Sequence, residues 1–584
     1  MFKYFVYFAL FLCVFAKRRV YIAMKDMDVS GHDIKSTGVT NVDILKKLCE
    51  DTEGCVAFNE NGYLKNSTEW TYSSNSVVWL AEEATSFAQE PDMPIWPMPL
   101  TYEHGSVNVI VDPQVQFSSN VENEDLSKAF ERYSSLMFDN HAATDYEYER
   151  IKEIHVSVEN PEAKLQFEVD ESYSLSIPTE GTINIHAPTI FGAYYALESL
   201  SQLVHFNRSQ EFYIIQNCPW NITDAPQFPH RGLLVDSVRH FLPVRDIKRI
   251  IDSIAHVKFN VMHWHITDNE AFVIKTNTYP KLWDTAYTDE ERYTQTDIKS
   301  IVEYARLRGV RIMPEIDVPG HMKSWCNVYP EVCPSETCYE PIDPSNDNAF
   351  NLIDSVIGEF CGEKSFEGLF PGEFFHLGGD EVDTKCWSQT ERIATWMKNN
   401  GMSTTDTYKY TVDKAHEMVM KRDRTPVNWE EVVTHISQPV DKNAIIQIWL
   451  GGTATLPIIK KGYRVLISKK WYLDDLNNQW DVFYNNDPYN GVTDPEDKKM
   501  VLGGEACMWA ETVDPSDWFN TVWPRAAAVA ERLWTAPEKL DVNKAQNRIM
   551  HFRGLLNERG FGAAPTLNKV GRSAPSRQSS FYWQ

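Results

Sequence analysis

The chain has 584 residues, 43% of them hydrophobic and 18 of them tryptophan, enough for one large catalytic domain with smaller ones beside it. A formal net charge of −26 argues against a surface built to hold nucleic acid or anionic membrane.

Residues 1–16, MFKYFVYFALFLCVFA, place a lysine before an apolar run ending at Ala16. That is the pattern of a signal peptide; the run is short for the alternative, an uncleaved membrane anchor. No other stretch is long and apolar enough to span a bilayer. Ten cysteines include Cys13 in the leader. The other nine suit disulfides in an oxidising compartment, with Cys49 close to Cys55 and with Cys326, Cys333, Cys338, Cys361 and Cys386 clustered. An odd count leaves at least one unpaired, and Cys507, inside the apolar VLGGEACMW, is the expected one. Glycosylation sequons at Asn66, Asn207 and Asn221 agree with passage through the secretory pathway.

Residues 17–90 form a small N-terminal unit around LCEDTEGCVAFNENGYLK. The proline-rich PDMPIWPMPL after it reads as a linker. Residues 91–225 alternate strand-like VNVIV, EIHVSVE and INIHA with the helical FGAYYALESLSQLV, a small α+β domain. Residues 226–584 change rhythm. RGLLVD, FNVMHWHI, VRIMPEID, EFFHLGG, TPVNWEE, AIIQIW, YRVLIS and VLGGEACMW are short apolar strands. Helical stretches such as RDIKRIIDSIAHVK and DIKSIVEYARLRG separate most of them, and the link between the sixth and seventh strands is the least defined. The fold class is therefore α/β: a (β/α)8 TIM barrel preceded by a small α+β domain, with a C-terminal tail.

Active sites of such barrels lie at the strand C-terminal ends. Those ends carry Asp236, His265 with Asp268, Glu315 with Asp317, Asp380-Glu381, Trp429, Trp449, Tyr472 and Trp509 with Glu511. Paired acids among tryptophans suit a sugar site, because indole faces stack on pyranose C–H faces. Repulsion between Asp380 and Glu381, with burial, should raise at least one of their pKa values, giving a proton-bearing carboxyl for glycoside cleavage. His263-Trp264-His265 reads first as packing inside the barrel. A metal site would need further histidines on later strands, where Trp429 and Trp449 stand instead, so no metal and no cofactor are expected.

HLGGDEVDTKCW, RGLLVDSVRHFLP, NVMHWHITD, EIDVPGH, WYLDD and GGEACMWAE resemble the glycoside hydrolase family 20 β-N-acetylhexosaminidases, and within them the lysosomal β-hexosaminidase subunits. The similarity runs in chain order over about residues 95–560. It implies an exo-acting enzyme that releases terminal β-linked GlcNAc or GalNAc by a substrate-assisted retaining mechanism, in which the substrate's acetamido oxygen attacks its own anomeric carbon. By position, Glu381 is then general acid and base, and Asp380 orients the acetamido N–H. His321 with Asp268 supports the acid, and Tyr472 bonds the acetamido oxygen. Trp429, Trp449 and Trp509 wall the sugar, Arg239 takes the 3- and 4-hydroxyls, and Glu511 and Asp474 meet the 4- and 6-hydroxyls. Versions of the site that accept 6-sulfated sugar carry Asn-Arg where this chain has Asp474-Asp475, which implies preference for the neutral sugar. Asn269 stands where some relatives have a second Asp. The resemblance also implies a homodimer, a carbohydrate as the partner molecule and a lysosomal or secreted destination. Residues 17–90 faintly resemble PAN/apple modules; a propeptide or spacer is the plainer reading. Two other functions compete with this one: a catalytically silent secreted carbohydrate-binding or adhesive protein, which the intact Asp380, Glu381 and Tyr472 oppose, and a chitinase-type barrel, whose D-x-x-D-x-D-x-E strand end is absent.

Overall fold

The structure, a computed structural model, describes residues 93–566 apart from 141, 143–149, 209 and 364, together with five strands, Leu45, Cys49 and Cys55 nearer the N-terminus. The leader at 1–16, the sequon at Asn66 and the tail beyond 566 lie outside the described residues.

Two compact units divide at Gln89/Glu90. In the first, antiparallel strands Tyr21–Asp28, Thr71–Ala81, Ala57–Asn59, Tyr63–Lys65 and Asp33–Ser36 follow one another across one sheet, and Cys49 is disulfide-bonded to Cys55.

The second unit opens with the α+β region. Its six strands order as Val204–Asn207, Phe212–Asp224, Thr101–Ser119, Arg150–Asn160, Thr182–Thr189 and Tyr173–Ile177, and Phe212–Asp224 also pairs with Tyr173–Ile177. Helix Ile190–Leu203 is buried along its whole length, as its nearly continuous apolar sequence requires. Three buried charged contacts join this region to the barrel unit: the ion pairs of Glu171 with Arg231 (2.8 Å), Asp224 with Lys258 (2.9 Å) and Glu198 with Arg559 (2.7 Å), the last with His256, its pKa lowered by burial, also 2.8 Å from Glu198. Removing one partner of such a pair strands a buried charge, at a cost of about 3–5 kcal/mol.

The stretch expected to be a linker is instead a buried strap. Trp96 is fully buried and donates from Nε1 to the Ala527 carbonyl at 2.9 Å. Arg548 donates to the Met93 and Ile95 carbonyls and pairs with Glu531, which in turn accepts from the Met98 N–H. The prolines remove N–H groups that such a strap would leave unpaired.

The barrel closes from eight parallel strands: β1 (His230–Asp236), β2 (Val261–His265), β3 (Arg311–Glu315), β4 (Phe374–His376), β5 (Thr425–Trp429), β6 (Ile445–Ile448), β7 (Arg464–Ile467) and β8 (Val501–Met508), with β8 pairing back on β1. All eight expected strands are present. Helix Val244–Ala255 buries Ile247, Ile250, Ile251 and Ile254 at helical spacing, and Gln295–Arg306 starts from a capping box of Thr294 and Asp297. The β6–β7 link is a single short helix, Thr455–Lys460. Inside, side chains form layers. Val261, Met313, Phe374, Val427, Ile445, Leu466 and Leu502 make an apolar floor against Phe167 of the α+β region. Above lie buried His230, His263, Glu315, His376, Gln447 and Glu505. Leu234, Trp429 and Cys507 cap them, with Trp449, Tyr472 and Trp509 packed against that cap.

Cys326–Cys333 and Cys338–Cys386 are disulfides, and the second ties the β3–β4 loop to the helix that follows Asp380-Glu381. Cys507 is a buried thiol as expected; Cys218 and Cys361 are buried thiols too, so the cluster around the acid pair contains two bridges and one free cysteine.

Candidate active site

The β4 strand stops at His376 because the chain must turn sharply. Gly378 and Gly379 adopt φ +57° and +94°, and a Cβ on Gly378 would lie 2.0 Å from the Asp317 carboxyl carbon. Asp317 Oδ1 accepts the Gly379 N–H at 2.8 Å. The turn delivers Asp380 and Glu381 to different surroundings. Asp380 is only 9% exposed, whereas the Glu381 side chain is 61% exposed. Glu381 itself holds φ 51°, and so does His321 at 52°. Left-handed backbone at non-glycine residues is strained, and strain of this kind clusters at functional sites.

His321 stands between the two acids. Its Nε2 is 3.8 Å from Asp380 and 3.6 Å from Glu381, and its Nδ1 is 3.1 Å from Asp268. Burial works against an imidazolium here, but Asp317, Asp268, Glu381 and Asp380 outweigh it and hold His321 protonated well above its usual range. The hydrogen bond from His321 in turn lowers the pKa of Glu381, against a smaller opposing effect of burial. The expectation of a raised pKa is therefore not met at Glu381; its exposure and the imidazolium beside it prevent that. The acid pushed strongly upward is Asp317, by burial and then by the Asp380 charge.

Arg239, on the loop after β1, is gripped by carboxylates: Asp236 at 3.0 Å, Asp268 at 2.5 Å, Glu270 at 3.4 Å and Glu511 at 3.9 Å. Its guanidinium also lies 5.1 Å from the Trp509 ring centre. Trp429 is buried and donates to Glu315 at 3.0 Å; Trp449 and Trp509 stand 6.4 and 6.1 Å from it at 70° and 46°. Tyr472 stacks on Trp449 at 5.8 Å, and burial keeps its phenol protonated far above the ordinary range. Trp449 is fixed by two further acids: its N–H bonds Glu430 and its Nε1 bonds Glu431, each at 3.0 Å. Glu431 is pushed up to about 7 by burial and by Asp380. Asp474 has a buried, unpartnered Oδ1 and is pushed up to about 6, by burial first and then by Glu511 and Asp475. Asn269 accepts from the Lys323 N–H and donates to Glu340, both at 3.0 Å; an Asp could not make the second bond. A cavity of about 480 Å³ shares Trp449 and Tyr472 with this mouth and continues past Leu450, Asp475, Asn478 and Val482.

Every residue read from the sequence as part of the site thus faces this one mouth or supports a group that does. Sequence reading missed Glu430 and Glu431 as site groups, although they follow the β5 end, and it named Asp317 at the β3 end without giving it a role. Among the described residues two sets of donors have metal-ligating types, His263 with Glu315 and His376, and Asp317 with His321 and Asp380. In both, imidazoles and carboxylates are turned on one another and so are already engaged within the protein. The mouth combines a protonated donor, an exposed carboxylate, a buried carboxylate and a tryptophan box, the equipment for acid-assisted cleavage of a sugar's anomeric bond.

The family model described as glycosyl hydrolase family 20, catalytic domain, matches residues 228–537, and one described as beta-acetyl hexosaminidase like matches 95–203. The chain is 38% identical over 515 residues to Beta-hexosaminidase 1 of Arabidopsis thaliana, covering 84% of this chain and 94% of that protein. It is 31% identical over 524 residues to the human Beta-hexosaminidase subunit beta, covering 84% and 92%. Among solved structures, a chitobiase of Flavobacterium johnsoniae aligns with a TM-score of 0.72 at 30% identity, over 81% of this chain and 74% of that one.

Proposed function

The chain belongs to glycosyl hydrolase family 20, and on that premise we propose how its residues divide the work of releasing a terminal β-linked N-acetylhexosamine. The enzyme is an exo-acting β-N-acetylhexosaminidase acting on GlcNAc or GalNAc at the non-reducing ends of glycoconjugates or chitooligosaccharides. The silent-protein alternative finds no support.

The reading rests above all on the placement of Asp380 and Glu381 around His321 Nε2 beneath the tryptophan box. The sugar lies on Trp429 between Trp449 and Trp509. Arg239 holds the 3- and 4-hydroxyls, and Glu511 and Asp474 close the non-reducing end at the 4- and 6-hydroxyls. Asp380 accepts the acetamido N–H and Tyr472 donates to the acetamido oxygen, aiming that oxygen at the anomeric carbon. The anomeric C–O bond breaks as the acetamido oxygen bonds to that carbon, and the leaving oxygen takes the proton from Glu381. Before substrate binds, that proton rests on His321. When the aglycone covers Glu381, lost water raises the carboxyl's proton affinity and the proton moves across. Glu381 then takes a proton from the water that opens the oxazolinium, with the anomeric configuration retained.

Release of a chromogenic aglycone from an N-acetylglucosaminide tests this, with the matching glucoside as control. Turnover of the first and near-silence on the second is expected; equal turnover would remove the acetamide from the mechanism. The secretory route, lysosomal or extracellular, is part of the proposal, supported by the leader at 1–16, the bridged cysteines and the exposed Asn221. Asn207 is buried and its amide donates to Gln210, which disfavours it as a glycan acceptor. The homodimer rests on the family resemblance, and sedimentation tests it. Among the described residues no helix is long and apolar enough to cross a membrane.

A further inference from the structure

The buried layer beneath the tryptophan box contains more charge than the mechanism above uses. Glu505 Oε2 lies 2.8 Å from His263 Nδ1, and His263 Nε2 stands 3.2 Å from Glu315 Oε2, an ion-pair contact without good hydrogen-bond alignment. Glu315 Oε2 is 2.6 Å from His265 Nδ1, and His265 Nε2 is 2.8 Å from Asp268 Oδ2. Asp268 then reaches His321 through its other oxygen. None of these five groups up to Asp268 is more than 1% exposed. Acid and imidazole alternate from β8 through β2 and β3 to Asp268 on the loop after β2, and from there to His321, which faces the catalytic pair. A barrel interior can be filled with apolar side chains at no electrostatic cost, so an unbroken line of buried ions ending at the active site calls for a reason.

We propose that His265 and Glu315, backed by His263 and Glu505, are positioning residues that neutralise Asp268 from behind and so set how tightly the His321–Glu381 pair keeps its single mobile proton. The proposal rests on the mechanism above.

Asp268 faces three cations. Arg239 and His265 share Oδ2, and His321 takes Oδ1. Burial opposes charge on the inner imidazoles, yet the carboxylates win: Glu505 and Glu315 push His263 up to about 9, and Glu315 and Asp268 push His265 up to about 10. His230 and His376 branch from Glu505 and Glu315 and are shifted the other way by burial, which leaves them neutral. The line therefore reads minus, plus, minus, plus, minus up to Asp268. His321 is also faced by Asp317 on the β3 loop and by Asp380 and Glu381 beyond β4. Removing the His265 cation leaves Asp268 less compensated, so the pair feels a more negative surrounding and releases its proton at higher pH.

His265→Gln keeps a polar side chain and removes the charge. The measurement is kcat/KM against pH on an aryl N-acetylglucosaminide. The alkaline limb should move up by about one pH unit, the scale of one ion-pair contact at partial screening, while KM changes little. Loss of rate with the limb unmoved would mean that His265 serves only as packing against Trp509, whose ring centre lies 4.9 Å away, and would overturn the proposal. Absence of turnover by the unmodified enzyme would bring down the mechanism as well, so the two failures are separable. If the variant does not fold, isotope-labelled histidine in the unmodified enzyme decides by NMR. Two buried imidazolium rings should stay doubly protonated at every pH where the enzyme works; their titration within that range overturns the proposal.

Discussion

Replacing the 6-hydroxyl of the terminal sugar with a sulfate sets a fixed negative charge against Asp474. At about 5 Å and an effective dielectric near 20, the repulsion is about 3 kcal/mol, on the order of 100-fold in affinity. The carboxyl has a cheaper response. Burial, with Glu511 and Asp475 nearby, pushes Asp474 up to about 6, so it can take up a proton as the sulfate arrives. One pH unit above that value, uptake costs about 1.4 kcal/mol. Near neutral pH the penalty is therefore capped at about tenfold, and it grows about tenfold per further pH unit toward the Coulomb limit. The neutral carboxyl tolerates sulfate; it prevails below about pH 6 and is lost as pH rises through that value. Asp475 contributes less, because it is exposed and already accepts from Asn477 at 3.2 Å and Asn478 at 2.7 Å. The assay is the ratio of kcat/KM for 6-sulfated and unsulfated aryl N-acetylglucosaminides across pH, in which the shared catalytic groups cancel. The ratio should fall with rising pH, flatten in Asp474→Asn and narrow further when Asp475→Arg is added. A ratio near one at all pH values, or a slope that survives Asp474→Asn, refutes the reasoning.

Glu381→Gln removes the transferable proton and should cost roughly 10²–10⁴ in rate on substrates with poor leaving groups, but much less on activated phenols; an equal loss on both contradicts the acid role. Asp380→Asn should weaken binding of a thiazoline mimic of the cyclic intermediate, and unchanged inhibition would exclude Asp380 from the acetamide. Trp96→Ala should destabilise the catalytic unit by about 3–5 kcal/mol, read as a fall in melting temperature, because a large fully buried ring is lost. An unchanged melting temperature would show that the strap holds nothing.

The barrel was legible because each strand is a short apolar run that ends in a polar or aromatic side chain, a pattern that needs no long-range information. Asp380 and Tyr472 were legible because they lie just beyond such ends, whereas Arg239 came only with the family resemblance. What escaped the sequence depends on partners far apart in the chain. His263 and His265 announce a shared face by alternation, but nothing near them reveals Glu505, 242 residues away. The rise expected at the acid pair failed at Glu381 because adjacency says nothing of exposure, which the left-handed turn decides. PDMPIWPMPL looked like a linker because proline is common in linkers, while the burial of Trp96 depends on Arg548 and Ala527, more than 400 residues later. Cys361 could not be told from its bridged neighbours, since spacing carries no record of which thiols face one another.

That strap also makes the catalytic body nearly endless. Its first described residue, Met93, and its last helix, Val542–Glu558, are fastened side by side through Arg548. The polypeptide is in effect a ring with a nick, and the fold has little stake in where the nick falls. Joining the strap to the chain beyond helix Val542–Glu558 by a linker and reopening the chain in the exposed segment at Ser437–Gln438 would break no barrel strand and no contact of the mouth. A circularly permuted enzyme of that design should keep its turnover. A cut a few residues beyond Met93 would instead unfasten the ring, because it would sever the strap from Arg548.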